Sequence, residues 1–285
     1  MSSRPIDMRI KKSLLFMSGS MILIVVLYPL AWLFINAIKT NAEAQKIPPY
    51  WIPNEITFDP LLNVVFDLGG YATHWGTYFI NTIFITFTTT LIVVVLSMFV
   101  GYGLARFDIK GKAMVMGIFL IIQFLAGPAV MIPEFIFISW LGLYNTHTGL
   151  IITYVIFQVP FATWLFHSFF KAMPVELEEA AELDGCSIIG TFWRIVLPLM
   201  KTGIVTVAVM SFILTWSEYP FARILLDSDA MLTISIGLAN YITAINIYWN
   251  QMAAASLICG LPLLIVLLFA QKYFIRGLTA GAIKG

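Results

Sequence analysis

Four glutamates and an aspartate crowd into nine residues of this chain: Glu176, Glu178, Glu179, Glu182 and Asp184. Only 11% of the residues are charged, so the cluster stands out. Carboxylates at this spacing can complement the N-terminus of a helix and offer a charged surface to a partner. Acid–base or metal chemistry would need companions that the sequence does not supply. His74, His147 and His167 are scattered, and no HExxH occurs. Cys186 and Cys259 belong to no CxxC or Cys/His spacing, and there is no GxxxxGK[ST] phosphate loop. The sequence therefore predicts no catalytic and no metal site, with both cysteines as free thiols.

The elements that must carry the cluster follow from composition. Of 285 residues, 60% are hydrophobic and 15% aromatic, and the mean hydropathy is +0.92. Soluble domains are roughly 45–50% apolar and about 25% charged, so this is an integral membrane protein. A net charge of +1, with no basic run interleaved with aromatics, gives no reason to expect nucleic acid. A helical crossing takes about 20 apolar residues, and six runs of that kind are present, at about 13–37, 81–105, 113–131, 150–170, 203–221 and 253–273. A shorter run, 134–144, is expected as a re-entrant or interfacial helix. The fold class is all-α and polytopic, with a six-helix transmembrane domain at 13–274 between an N-terminal segment, 1–12, and a C-terminal tail, 275–285. If the N-terminus is inside, thirteen of the sixteen lysines and arginines fall on the inner side, leaving Lys39, Lys46 and Arg223 outside. This satisfies the positive-inside rule and puts both termini in the cytoplasm. The outer loop 40–77, with Pro48, Pro49, Trp51, Pro53 and Trp75, is expected as an ordered cap, either a connector with interfacial aromatics or a protein-binding surface.

The acidic cluster then lies in the cytoplasm, in a loop at 172–199 between the fourth and fifth spans. Pro174 suits a helix start, and the glutamates behind it complement the dipole. On a helical wheel Leu177, Ala180 and Ala181 share one face, opposite Glu178, Glu179 and Glu182. Gly185 is a left-handed stop. Ser187 caps a second helix that sets Ile188, Ile189, Phe192, Trp193 and Val196 on one side and Thr191 and Arg194 on the other. Pro198 marks the turn into the fifth span.

The spacing Glu179-Ala180-Ala181, three residues, Gly185, nine residues, Ile195, one residue, Leu197-Pro198 resembles the EAA loop of ABC importer permeases. The segments "PVELEEAAELDG", "TWSEYPFA" and "QKYFIRGLTAGAIKG" are similar to blocks of the carbohydrate-importer branch, specifically the smaller six-span partner of the maltose-type permease pair. Ser217 and Cys186 depart from that pattern, where the family usually has Asn and Ala. The resemblance implies a type I ABC importer permease fold in a bacterial or archaeal cytoplasmic membrane. It implies a second permease, two cytoplasmic ATPase subunits that bind the ATP and magnesium, an extracytoplasmic solute-binding protein and membrane lipid as partners. No cofactor is expected in this chain. The coupling residues it implies are Glu178, Glu179, Ala180, Ala181, Asp184, Gly185, Arg194 and Pro198, and it sets the tail as an ordered segment at the ATPase boundary.

Polar groups within spans face the bundle interior, where they line a path or tie helices together. Gln123, Trp216, Ser217, Glu218 and Tyr219 are the candidates for a substrate path. Trp216 beside Glu218 would suit stacking and hydrogen bonding of a sugar ring, or gating and packing alone. Thr86, Thr88, Thr89, Thr90 and Gln158 are expected in helix-to-helix hydrogen bonds. The rival functions are half of a secondary carrier, for which no internal repeat is found, or an importer permease for a solute other than sugar.

Overall fold

Twenty consecutive apolar residues have no alternative in lipid but to close their own backbone hydrogen bonds as helix. In the computed structural model, which describes residues 5–66, 74–124 and 127–282, they do so. The helices are α1 (Pro5–Ala37), α2 (Asn41–Ala44), α3 (Asp59–Phe66), α4 (Trp75–Arg106), α5 (Lys112–Phe124), α6 (Pro128–Trp140), α7 (His147–Lys171), α8 (Glu176–Leu183), α9 (Ile188–Thr191), α10 (Leu197–Leu199), α11 (Lys201–Trp216), α12 (Pro220–Leu225), α13 (Ile234–Ala239) and α14 (Trp249–Ala282). A π-helical turn, Phe192–Val196, joins α9 to α10, and a 3-10 turn, Asp229–Met231, precedes α13. Among the described residues the one β feature is an isolated bridge between Ile242 and Ile247.

Among the described residues four helices, α1, α4, α7 and α14, are long and apolar enough to cross a membrane, and α11 makes a fifth when counted as one span with the bent segment before it. The predicted third span at 113–131 is not one helix. It divides at Gly127, whose φ of +132° is outside helical space, and α6 restarts on Pro128. Residues 125–126, inside the predicted span, lie outside the described residues. Each 13-residue half reaches only about 20 Å. Both halves follow α7 in succession. Gln123, at the end of α5, donates from Nε2 to the Phe157 carbonyl at 3.1 Å. Glu134 in α6 accepts from Thr153 Oγ1 at 2.9 Å, and Ile138 reaches Gly149. The expected short helix at 134–144 is therefore the greater part of α6, and Pro133 lies within it rather than bounding it.

The chain forms two units. One comprises residues 1–73 and 238–260. There Lys39 is buried with its ammonium over the rings of Trp32 and Tyr50, at 4.9 and 5.0 Å, donating to the Tyr50 carbonyl. Aromatic quadrupoles and a carbonyl replace the water that the cation loses. Asn250 Nδ2 donates to the Lys39 carbonyl, and Gln45 Nε2 to Asn246 Oδ1 and the Ile247 carbonyl. The part of the outer loop described here is thus ordered by specific contacts.

The other unit comprises residues 74–237 and 261–285, and it carries the acidic cluster. Its centre is the pairing of α4 with α7, to which α11 adds. One end is pinned by side chains. Asn81 Nδ2 donates to the carbonyls of Ala230 and Leu232, Thr82 Oγ1 accepts from Ile234 N, and Asn145 Oδ1 accepts from Asp227 N and Ser228 N. At the other end an aromatic core gathers Tyr102, Phe166, Phe170, Phe192, Val196 and Met200.

Close approach of α4 to α7 depends on Gly101. A Cβ there would stand 2.7 Å from Phe166 Cβ, 3.1 Å from the His167 backbone nitrogen and 3.2 Å from the Thr163 carbonyl. We expect Gly101→Ala to destabilise the unit by about 1–3 kcal/mol through overpacking. Gly103→Ala, where a Cβ meets nothing within 4 Å, should be neutral or slightly stabilising. Thermal unfolding of the two variants in detergent checks this, and equal melting would show that the contact is not limiting.

Candidate functional site

The acidic cluster lies on α8, and a second short helix, α9, follows it before the chain enters the core. Val175 supplies the first carbonyl of α8, accepting from Glu178 N and Glu179 N. Pro174 precedes the helix, and the three acids of the first turn, Glu176, Glu178 and Glu179, meet its positive end. The stop is as expected. Gly185 has φ +84°, Cys186 N donates to the Ala181 carbonyl and Gly185 N to the Glu182 carbonyl. These two bonds make a Schellman motif, which satisfies carbonyls that the helix end leaves open. Ser187 Oγ then accepts from Gly190 N at 3.2 Å as the cap of α9. After the π-helical turn the chain passes Pro198 and bends by 72° into α11.

Burial cuts across the faces of the helical wheel. Glu178 and Ala181 are the buried residues of α8, while Leu177, Glu179, Ala180 and Glu182 are exposed and Leu183 is 90% exposed. In the second limb Thr191, Phe192 and Val196 are buried, whereas Ile188, Trp193 and Arg194 are exposed and Ile189 is 72% exposed. The helical wheel grouped Glu178 with Glu179 and Glu182 because it could not see what lay beneath. Beneath lies Arg106, in the last turn of α4. It sets Nε and Nη2 both 2.7 Å from Glu178 Oε1, and Nη2 also donates to the Met173 carbonyl at 3.2 Å. Tyr102 Oη, one turn earlier on α4, donates to Glu178 Oε2 at 2.8 Å. A guanidinium at the edge of the apolar core needs a carboxylate, and this requirement outweighs the burial of a leucine.

Tyr102 and Arg106 are site residues that the sequence reading missed. The available signal was an Arg four residues after a Tyr at the end of a span, with four glutamates to choose from. Tyr102 also packs edge-on against Phe170 and Phe192, with ring centroids 5.3 and 4.9 Å away. One tyrosine therefore holds both limbs of the turn, α8 through its hydroxyl and the π-helical turn through its ring. What remains outside is a surface of Leu177, Ala180, Leu183, Ile188, Ile189 and Trp193 beside Glu179, Asp184 and Gly185. Exposed apolar side chains beside charged ones make this a candidate interaction surface.

The candidate path residues fare differently. Both carboxylate oxygens of Glu218 are engaged. Oε1 accepts from Phe221 N, and Oε2 accepts from Ala222 N and, at 2.6 Å, from Tyr154 Oη. Glu218 thus caps α12 and ties it to α7. Trp216 is buried, stacked on Phe212 at 5.4 Å and edge-on to Phe79. Gln123 ties α5 to α7. Ser217 is exposed with Oγ donating to the Ile213 carbonyl, and Tyr219 is exposed. Gln158 makes the expected interhelical bonds, to Thr215 and Ser211. The threonines do not: the Oγ1 atoms of Thr86, Thr89 and Thr90 are buried with no partner among the protein atoms. At the C-terminus the tail is helical. Its backbone continues α14 as helix through Ala282, past Gly277 and Gly281, and residues 283–285 lie outside the described residues.

Residues 94–280 match the family of binding-protein-dependent transport system inner membrane components. The chain is 34% identical over 271 residues to a probable ABC transporter permease protein, YurM, of Bacillus subtilis, covering 92% of this chain and 85% of the relative. It is 30% identical over 274 residues to the arabinooligosaccharides transport system permease protein AraQ of Halalkalibacterium halodurans, covering 95% of this chain and 96% of the relative. The fold is similar to that of a chain in the crystal structure of a bacterial ABC transporter involved in the import of the acidic polysaccharide alginate. That superposition has a TM-score of 0.78 at 23% identity, over 96% of this chain and 99% of the other.

Removing one partner of a buried ion pair strands the other, at a cost of about 3–5 kcal/mol. Arg106→Ala and Glu178→Ala are therefore expected to release the 172–199 loop from α4, whereas Glu179→Ala, on the exposed face, leaves it docked. Limited proteolysis of the purified chain should cut the loop much faster in the first two variants than in the third. Tyr102→Phe removes one charge-assisted hydrogen bond, worth about 1.5–3 kcal/mol, and should fall between them.

Proposed function

The chain belongs to the family of binding-protein-dependent transport system inner membrane components, and on that premise we propose that it forms half of a translocation path for a sugar or oligosaccharide. As a multi-pass inner-membrane permease of an ABC importer it is non-catalytic, and that membership excludes the secondary-carrier reading. The sugar class is supported by the arabinooligosaccharide permease among its relatives. We propose six crossings, with α5 and α6 sharing the third as a broken helix, both termini in the cytoplasm and a type I importer permease fold. A second permease completes the path, an extracytoplasmic solute-binding protein delivers the solute, and two ATPase subunits bind the ATP and magnesium.

The observation that carries the coupling role is the buried Arg106–Glu178–Tyr102 contact beneath an exposed apolar face. A docking element must hold its shape when the partner pulls, and it must be rigidly joined to what moves. The ion pair and the aromatic core supply the joint, and Leu177, Ala180, Leu183 and Ile189 supply the surface for an ATPase cleft. Within the proposed coupling set, Glu179, Ala180, Asp184, Gly185 and Arg194 meet the partner. Glu178 and Ala181 hold the turn to α4, and Pro198 shapes the bend into α11. Such coupling requires a differential contact with two states, which a rigid turn can make. Of the path candidates, Ser217 and Tyr219 remain free to meet solute, while Gln123, Trp216 and Glu218 hold the helices that border it.

Two variants separate folding from coupling. Glu179→Lys reverses a charge at the contact at little cost to the chain. Gly185→Val puts a β-branched residue at φ +84°, where it is strained. Both should assemble with the partner subunits in normal amounts, yet lose sugar transport and the stimulation of ATP hydrolysis by loaded binding protein. Parental transport by either in an intact complex would refute its coupling role. The topology has a separate check, since Cys259 is buried and Cys186 lies on the turn. A membrane-impermeant thiol reagent should label Cys186 only from the cytoplasmic side.

A further inference from the structure

Where α5 begins and α7 ends, the chain leaves an open cleft of about 940 Å³. Lys110, Lys112 and Lys171 line it together with His167, and the single acid on its wall is Asp108. Among the described residues none of the three ammonium groups makes an ion pair; the pair found is Arg106 with Glu178. His167 Nε2 is sealed from solvent and has no hydrogen-bond partner. One to two turns further along the same helices, Met116 and exposed Trp164 continue the wall as apolar surface. Cationic groups at one end and an aromatic and aliphatic wall at the other fit an amphiphile whose head is an anion. A soluble phosphate would satisfy the lysines but leave the apolar wall bare.

We propose that this cleft binds an anionic phospholipid, its phosphate between Lys110, Lys112 and Lys171 and an acyl chain along Met116 and Trp164. On the topology proposed above this end of the bundle meets the inner leaflet, and the leaflet assignment rests on that reading. Basic pockets between spans on the cytoplasmic side are the known form of such sites. The cleft is set on the same α7 whose last turns carry Phe166 and Phe170 of the core that holds the 172–199 loop. A bound lipid would therefore bridge α5 to the helix that feeds the loop.

Native mass spectrometry of the purified complex, released from vesicles of phosphatidylcholine and phosphatidylglycerol, tests the proposal. The parental complex should retain one phosphatidylglycerol per chain more than the Lys112→Gln/Lys171→Gln variant, with phosphatidylcholine retention unchanged. The lysines should each be worth about fivefold in lipid affinity, and Lys112→Arg/Lys171→Arg should keep the lipid. Equal phosphatidylglycerol counts in parent and Gln variant would overturn the proposal. Displacement of the lipid by inorganic phosphate would assign the cleft to a soluble anion and overturn it too. The lipid count does not depend on orientation, whereas Cys186 labelling does, so failure of the site and failure of the topology are told apart.

Discussion

Everything at the working end of this molecule depends on one buried charge having somewhere to go. Arg106 closes α4 at the edge of the apolar core, where an unpaired guanidinium would be costly, and Glu178 from the turn after α7 is its counterion. The favourable position of a cation at a helix C-terminus adds to this placement. Once Glu178 is committed inward, the phase of α8 is fixed. Ala180 and Leu183, about 160° and 140° round the helix from Glu178, must then point away. The exposed apolar surface is thus a consequence of the ion pair.

The second limb is held by different physics. Phe192 and Val196 enter the aromatic core that α4 and α7 share, and the intervening backbone widens to a π-helical turn. The 72° change of direction comes later, at the break between Leu199 and Lys201. Polar clamp and apolar core meet at Tyr102, whose hydroxyl and ring serve one limb each. Both limbs are therefore joined to α4, which in turn lies against α7 at the Gly101 contact.

Polar residues at the opposite end show how one composition serves two purposes. The Glu218 carboxylate looks like a ligand for solute beside Trp216, yet its use by Tyr154, Phe221 and Ala222 makes it a structural cap. Buried polar atoms must be satisfied, and a helix N-terminus such as that of α12 is an accessible set of donors. The same logic explains Asn81, Thr82 and Asn145, which hold the 226–234 segment by its backbone. Each stabilises an irregular stretch that has no ladder of its own.

Hydropathy and charge by themselves determined that the chain is helical and membrane-embedded, where the long helices α1, α4, α7 and α14 lie, and that an acidic turn separates α7 from α11. Local chemistry determined the cap at Ser187 and the left-handed stop at Gly185. These are properties of short windows, since a span needs only apolar length and a cap only a neighbouring donor. Tertiary structure decided which glutamate turns inward, because four similar carboxylates compete and the deciding partner, Arg106, is 72 residues away. It decided that the third apolar run divides at Gly127, where continuous hydropathy masks a backbone turn, and that α5 and α6 pack in succession along α7. It decided that Glu218 caps a helix, since no pattern along the chain records which backbone N–H groups a carboxylate will meet.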